Sequence, residues 1–152
     1  MTIWPGLFGF TNVLAILAWL VLLFAPRKPL AHSVVLYLGV ALLCLIYTVC
    51  FALFLSGSVD IGALPGGGEP GFGSIEAVRA LFMSDGGVVI GWTHYLAFDL
   101  FTGLWIARDA DAKGFSRIVQ APFLAVTFMA GPIGLLSWLM VRERRARATG
   151  RG

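Results

Sequence analysis

Two ionisable side chains, His94 and Asp99, lie inside the apolar run WTHYLAFDLFTGLWIARD, residues 92–109. On insertion scales a charged side chain near the middle of a membrane-spanning helix costs roughly 2.5–3.5 kcal/mol, so such residues usually mark a functional site. A carboxylic acid and an imidazole can together move a proton onto and off a ligand. We therefore predict that Asp99 and His94 are catalytic, Asp99 as the acid and His94 as the base.

The spacing of these two residues indicates how they would work together. Five residues apart on an α-helix, they point about 140° away from each other. This arrangement is poor for direct contact between the side chains. It suits two groups that reach opposite sides of one ligand held in a shared cavity.

The other residues of this helix divide into two sides at 100° per residue. Beside His94 and Asp99, one side carries Phe98, Thr102, Trp105, Ile106 and Asp109. The opposite side carries Leu96, Leu100, Gly103, Leu104 and Ala107. We predict that the first side faces the protein interior and the second faces lipid.

Three other apolar segments offer polar groups or a broken backbone at a similar depth. These are Asn12, then Tyr47 and Thr48, and then Gly131-Pro132, where proline removes a backbone donor. We infer a single polar pocket near the membrane midplane. Its predicted substrate-binding residues are Asn12, Tyr47, Thr48, Thr102, Trp105 and Asp109.

A structural interpretation remains open for most of these residues. Asn12, Tyr47, Thr48 and Thr102 could form ordinary interhelical hydrogen bonds, each worth about 0.6 kcal/mol. In the same interpretation His94 is a satisfied core histidine, and Asp109 marks the membrane interface. Asp99 differs, because the stability of a helix bundle does not require a carboxylate at the midplane.

Four apolar segments must position these residues. Of the 152 residues, 59% are hydrophobic and 12% are charged, and the mean hydropathy is +0.88, whereas soluble domains carry about 25% charged residues. The segments cover about residues 3–24, 34–55, 88–107 and 119–141, each close to the ~20 residues that cross a bilayer. The sequence predicts an all-α integral membrane protein, a single membrane domain of residues 1–152 with four transmembrane helices.

A long connection, residues 56–87, separates the second and third segments. Its first half is too rich in glycine and proline for regular structure. Its second half, SIEAVRALFM, predicts a short helix with Ser74 as N-cap and Glu76 in the first turn. We expect this helix to lie in the membrane surface over the mouth of the bundle, and a packed linker helix is the alternative.

The distribution of basic residues indicates what the end of the chain contacts. Five of the eleven Lys and Arg residues lie in a tail, residues 142–152. The tail predicts contact with membrane lipid and not with nucleic acid, because no aromatic or fold context accompanies it.

Cys44 and Cys50 point about 120° apart on a helix, which favours neither a shared metal nor a disulfide. We predict no metal and no cofactor, and we expect the first segment to be a retained span and not a signal peptide.

The pattern W-x-H-x-L-x-x-D-L-F at residues 92–101, followed by Trp105 and Arg108-Asp109, resembles the abscisic-acid-deficient-four-like family. The stretches PFLAVTFMAGPIGLLSW and ALFMSDGGVVIGW are similar to that family as well. The resemblance extends over the whole chain and is tightest over residues 77–142.

The resemblance implies a carotenoid-related chemistry. Plant members of this family are implicated in the formation of neoxanthin from violaxanthin, a rearrangement of a carotenoid epoxide. For this chain, the resemblance implies protonation of an epoxide oxygen, ring opening and loss of a carbon-bound proton, with Asp99 as acid and His94 as base. The lack of a plastid transit peptide and the short arginine-tailed form are typical of bacteria. We therefore expect the protein to lie in the bacterial inner membrane and to bind or modify a carotenoid-like isoprenoid other than violaxanthin.

Two functions of different classes remain. The first is a membrane enzyme that binds or modifies a carotenoid-like isoprenoid by proton-transfer isomerisation or epoxide rearrangement. The second is a small non-enzymatic membrane subunit that binds pigment or lipid, or assembles with a larger membrane complex or with copies of itself. A proton or solute conduit is less favoured, because the chain has few charged residues to line a pore.

Overall fold

The computed structural model describes residues 3–26, 28–58 and 70–149, with side chains described as far as residue 143. Every regular element within these ranges is helical, which confirms the all-α prediction. The six helices are α1 (Trp4–Phe24), α2 (Pro29–Leu55), α3 (Ile75–Leu81), α4 (Asp85–Ala112), α5 (Arg117–Met129) and α6 (Gly131–Thr149).

Helices α1 and α2 are the two described helices that are long and apolar enough to cross a membrane, by length and composition. Helix α4 has 28 residues but includes Asp85, Asp99 and Arg108, which lower its hydropathy. Helix α5 has 13 residues and is therefore about 20 Å long, shorter than the ~30 Å hydrocarbon core. Membrane crossing by α4, α5 and α6 remains a prediction.

Helix α2 changes its winding along its length. Pro29–Val34 and Leu42–Leu55 are α-helical, whereas Val35–Ala41 is π-helical. The apolar pattern predicts a start at about residue 34 and does not indicate the π-helical segment. The helix begins earlier because Pro29 lies in the first turn, where its missing N–H has no partner to lose.

Helix α4 is central and packs against α1, α2, α5 and α6. Its residues Leu100, Leu104 and Ala107 are almost fully buried in the main hydrophobic core. Gly103 allows the ring of Trp19 in α1 to approach, because a Cβ at this position would lie 2.3 Å from that ring. The side of α4 that we predicted to face lipid therefore forms the core.

The other side of α4 corrects the predicted interior sector. Phe98 is 57% exposed, and His94 and Trp105 are also exposed, whereas Asp99 and Ile106 are buried. The helical wheel failed because both sides of this helix are largely apolar. Hydrophobicity alone does not separate a lipid-facing stripe from a core-facing one in a membrane protein.

Helix α3 is the short helix that we predicted between the second and third segments. Ser74 Oγ accepts a hydrogen bond from the backbone N–H of Ala77 at 3.1 Å, and Glu76 lies in the first turn. Both predictions about this helix start are confirmed. The prediction of irregular structure in the preceding connection falls largely on residues 59–69, which lie outside the described residues.

The fourth apolar segment forms two helices. Helix α5 ends at Met129 and α6 begins at Gly131, with Ala130 between them in a non-helical conformation. The predicted break at Gly131-Pro132 is confirmed. A Cβ at Gly134 would lie 2.1 Å from Thr127 Oγ1, so α5 and α6 are in close contact. The first part of the predicted basic tail, residues 142–149, continues α6.

Candidate functional site

A cavity of about 230 Å³ lies between α2, α4 and the segment around α3, and we call it the aromatic cavity. Ligand sites for drug-sized molecules are roughly 300–1,000 Å³, so this cavity fits one ring-sized part of a ligand. Its lining residues come from all three helices and the flanking chain: Tyr47, Phe51, Phe54, Phe72, Leu81, Phe82, Gly87, Ile90, Gly91 and His94.

Three stacked aromatic rings of α2 form one wall of the aromatic cavity. The ring centroids of Tyr47 and Phe51 are 5.6 Å apart with an interplanar angle of 9°. Those of Phe51 and Phe54 are 5.7 Å apart with an angle of 8°. Spacings of three and four residues place these side chains on one face of the helix. The wall is therefore a continuous apolar surface.

Phe82 and Gly91 bring the segment around α3 against α4. A Cβ at Gly91 would lie 2.3 Å from Cε1 of Phe82, so this approach requires glycine in α4. Phe82 directly follows α3. The close packing of these two residues fixes the position of Phe82 in the wall of the aromatic cavity.

His94 and Tyr47 are the titratable side chains among the described lining residues. Their ring centroids are 5.4 Å apart, and the ring of His94 also lies 4.6 Å from that of Phe98. Within the described part of the chain, the structure shows ring contacts but no hydrogen bond for either side chain. A phenol hydroxyl can donate a hydrogen bond and a neutral imidazole can accept one, so the pair can serve a ligand as acid and base.

Asp99 lies elsewhere, towards the break between α5 and α6. It is 8% exposed, and a Cβ at Gly131 would lie 1.9 Å from its Oδ1. Its Oδ2 is buried with no hydrogen-bond partner among the described residues. The nearby Tyr95 hydroxyl donates to the carbonyl oxygen of Met129 at 3.3 Å.

The position of Asp99 suits a capping role for α6. Helix α6 begins at Gly131 and is preceded by Ala130, which has no side-chain acceptor for the first N–H groups. A carboxylate at this point also opposes the positive end of the helix dipole. The predicted single pocket is corrected, because His94 lines the aromatic cavity and Asp99 does not. Catalysis by Asp99 remains a prediction.

Asn12, Thr48 and Thr102 do not line the aromatic cavity. Thr48 and Thr102 each donate a hydrogen bond at 2.8 Å to the carbonyl oxygen four residues earlier in their own helices. Asn12 Oδ1 accepts a hydrogen bond from Trp92 Nε1 at 3.1 Å, which links α1 to α4. The interhelical bond agrees with the structural interpretation of Asn12. Substrate binding by these three residues remains a prediction.

Asp109 and Trp105 belong to a charged cluster at the far end of α4. Arg142 of α6 donates to both carboxylate oxygens of Asp109, at 2.8 and 3.1 Å, and Trp138 Nε1 donates to Oδ2 at 3.0 Å. Lys113 Nζ lies 3.5 Å from Oδ1. The Arg142 guanidinium also lies 5.5 Å from the centroid of the Trp105 ring. This cluster ties α6 to α4 and does not reach the aromatic cavity.

The aromatic residues Phe51, Phe54 and Phe82 and the glycine Gly91 were not predicted from the sequence. The predicted site consisted mainly of polar groups at one depth, whereas most of the cavity lining is apolar. One signal was present in the sequence, since residues 47, 51 and 54 follow helical spacing. The same spacing is also typical of a packed core, so it did not identify a site by itself.

Residues 6–138 of the chain match the ABA4-like family, described as ABA DEFICIENT 4-like. The match covers most of the chain, including the described walls of the aromatic cavity. It confirms the resemblance that the sequence motifs indicated. Comparison with curated proteins and with solved structures found no match.

Proposed function

Because the chain belongs to the ABA4-like family, we propose that it binds the oxygen-bearing end group of a carotenoid-like isoprenoid in the aromatic cavity and isomerises it by proton transfer. Family membership fits a membrane protein linked to carotenoid-related function. One observation carries the proposal. His94 and Tyr47 lie together in a lining that is otherwise apolar, and neither has a hydrogen-bond partner within the described ranges.

The aromatic cavity suits a methylated ring with one or two oxygen atoms. The stacked rings of Tyr47, Phe51 and Phe54 offer a flat apolar wall, and burying apolar ligand surface contributes about 25 cal/mol per Å². A few polar groups in an apolar cavity fix the orientation of a ligand. Here the hydroxyl of Tyr47 and the imidazole of His94 would place the ligand oxygen.

The proposed reaction is an isomerisation that needs no other reactant. The Tyr47 hydroxyl donates its proton to an epoxide oxygen as the carbon–oxygen bond breaks. Neutral His94 then takes a proton from a neighbouring carbon, and the electron pair of that C–H bond forms a new double bond. The proton returns from His94 to the Tyr47 phenolate, so the product is an isomer of the ligand. Tyr47 replaces Asp99 as the acid, because Asp99 lies at the break between α5 and α6.

Pigment analysis in a carotenoid-producing bacterial host tests this proposal. We expect the wild-type protein to carry carotenoid and to change the host's pigment composition. Tyr47→Phe removes only the hydroxyl, so conversion stops while the pigment still co-purifies. His94→Ala stops conversion and weakens co-purification. Val49→Ala is the matched control, since Val49 is exposed on α2 and does not line the cavity, and it leaves both properties unchanged.

Two outcomes would contradict the proposal in different ways. If no carotenoid co-purifies with the folded wild-type protein, the binding part fails. If carotenoid co-purifies and neither the wild type nor any variant changes the pigment composition, the enzymatic part fails. The second outcome favours the alternative of a non-enzymatic pigment-binding subunit.

A further inference from the structure

A second cavity of about 300 Å³ lies beside the aromatic cavity, and we call it the aliphatic cavity. It is formed by the same two helices, α2 and α4. Its walls include Leu36, Val40, Ala41 and Cys44 from α2 and Ala97 and Phe98 from α4. These described lining residues offer no charged group, so the aliphatic cavity suits a hydrocarbon chain.

The two cavities follow one another along the α2–α4 contact. On α2, the lining of the aliphatic cavity extends to Cys44 and that of the aromatic cavity begins at Tyr47, about one turn later. On α4, the corresponding residues are Ala97 and His94. The ring of His94 lies 4.6 Å from Phe98 at the junction. The two cavities are therefore neighbours along α2 and α4, with His94 near their junction, and we call the pair of cavities the groove.

The wall of the aliphatic cavity has an unusual backbone. Leu36, Val40 and Ala41 belong to the π-helical segment Val35–Ala41. π-helical turns are rare and are found frequently at functional sites. This segment is an observation independent of the cavity itself, and it favours a ligand-binding role for this wall.

The length of the groove indicates the length of its ligand. From Leu42 to Phe54 the α-helical part of this wall rises by roughly 18 Å at 1.5 Å per residue, and the π-helical turns back to Leu36 extend it further. We infer that the groove binds one long, extended isoprenoid, with its ring in the aromatic cavity and its chain in the aliphatic cavity. The inference rests on the proposed function and adds the length and the position of the ligand.

A stiff chain fits this groove better than a lipid acyl chain does. Ordering a flexible chain on binding costs conformational entropy, whereas a conjugated chain is already extended. The aromatic cavity, in addition, has the size of a ring and carries the free polar groups of Tyr47 and His94. We therefore expect a long conjugated isoprenoid to occupy the groove in preference to phospholipid.

A pair of probes with the same end group tests the inference. The first is 3-hydroxy-β-ionone, which is the end group alone, and the second is zeaxanthin, which carries this ring on a full-length chain. The protein is placed in lipid nanodiscs, and bound ligand is quantified by chromatography after re-isolation. Cys44→Trp fills the aliphatic cavity. Leu45→Trp is the control, because Leu45 is exposed on the same helix and does not line either cavity.

We expect Cys44→Trp to weaken zeaxanthin binding about tenfold, since a chain excluded from the cavity loses apolar contact. Binding of 3-hydroxy-β-ionone stays within about twofold of wild type, a change of less than 0.5 kcal/mol, because this probe has no chain to enter the aliphatic cavity. Leu45→Trp changes neither affinity. Ala41→Phe, at another position in the same wall, reproduces the Cys44→Trp result and guards against a folding defect specific to one variant.

The inference is overturned if the folded Cys44→Trp and Ala41→Phe variants bind zeaxanthin as tightly as the wild type does. This holds even if His94→Ala weakens zeaxanthin binding. It is also overturned if phospholipid fills the aliphatic cavity and zeaxanthin does not displace it. In both cases the proposed function survives. The proposed function itself fails if the wild type binds neither probe.

Discussion

The two sides of α4 hold their ionisable residues under opposite conditions. On the side facing α2, His94 is exposed at the aromatic cavity and makes ring contacts only, among the described residues. On the side facing α5 and α6, Asp99 is buried against Gly131, and Asp109 is held by Arg142. Asp109 ties α6 to α4 through Arg142, Asp99 lies against the start of α6, and the imidazole of His94 has no hydrogen-bond partner among the described residues.

The difference follows from what each side packs against. Helix α6 presents its start, an arginine and an indole N–H, all of which attract a carboxylate. Helix α2 presents aromatic rings that leave the imidazole nitrogens without a partner within the described ranges. Stability and ligand binding should therefore respond to different substitutions in α4.

Asp109→Ala should have the largest effect, a loss of about 3 kcal/mol in the free energy of unfolding. The substitution leaves the Arg142 guanidinium and the Trp138 N–H without their acceptor. Equilibrium unfolding in detergent measures the change. Glu143→Ala, at an exposed neighbour of Arg142, is the control and changes stability by about 0.5 kcal/mol or less. A stable Asp109→Ala protein with weakened carotenoid binding would place the ligand at this cluster instead.

Gly131→Ala should cost about 1–3 kcal/mol, because the new methyl group overlaps the carboxylate of Asp99. Asp99→Ala alone should cost about 1 kcal/mol, the usual effect of removing a helix cap. In the double variant the methyl group has room. The loss of unfolding free energy in this variant should therefore be about 1 kcal/mol smaller than the sum of the two single losses. Simple additivity of the unfolding free energies would argue against the contact between Asp99 and position 131, and an Asp99→Ala variant as stable as the wild type would argue against the capping role of Asp99.

His94→Ala should weaken carotenoid binding about tenfold, the effect of losing one hydrogen bond and one ring contact. Its stability should change little, because the side chain is exposed. Asp99→Asn is the comparison on the other side of α4, and we expect its carotenoid affinity to remain within about twofold of wild type. Equal losses of affinity in the two variants would show that both sides of α4 serve the ligand. Binding in nanodiscs gives both values.

Trp105→Leu should have the smallest effect, a loss of about 0.5–1 kcal/mol in unfolding free energy. The change removes the ring beneath the Arg142 guanidinium and leaves the hydrogen bonds between Arg142 and Asp109. Carotenoid binding should not change. A marked loss of binding would support the earlier prediction that Trp105 contacts substrate.

Local signals in the sequence predicted much of the fold. Ser74 marks the start of α3 because its hydroxyl caps the helix, and Gly131-Pro132 ends α5 because proline cannot continue a hydrogen-bonded turn. The orientation of α4 was not predictable in this way. Leu100 and Phe98 are both apolar, yet Leu100 lies in the core and Phe98 is exposed, and only the neighbouring helices decide between them.

The candidate site was predicted in part. His94 and Tyr47 were identified by their polarity, and the structure brings them together. Asp99 was identified by the same rule but meets the start of α6, which depends on how α5 and α6 fold back against α4. The π-helical segment of α2 has no sequence signal that we recognised, since the run VLYLGVA is also compatible with an α-helix.

Photoaffinity labelling tests the central claim most directly. A carotenoid analogue with a diazirine on its ring is bound to the wild-type protein in nanodiscs, irradiated and mapped by mass spectrometry. We predict labels on residues 47–54 of α2 and residues 82–94 around the start of α4, with labelling reduced in His94→Ala. Labels concentrated on residues 117–138 of α5 and α6 would contradict the account, since they would place the ligand on the side of α4 that holds Asp99.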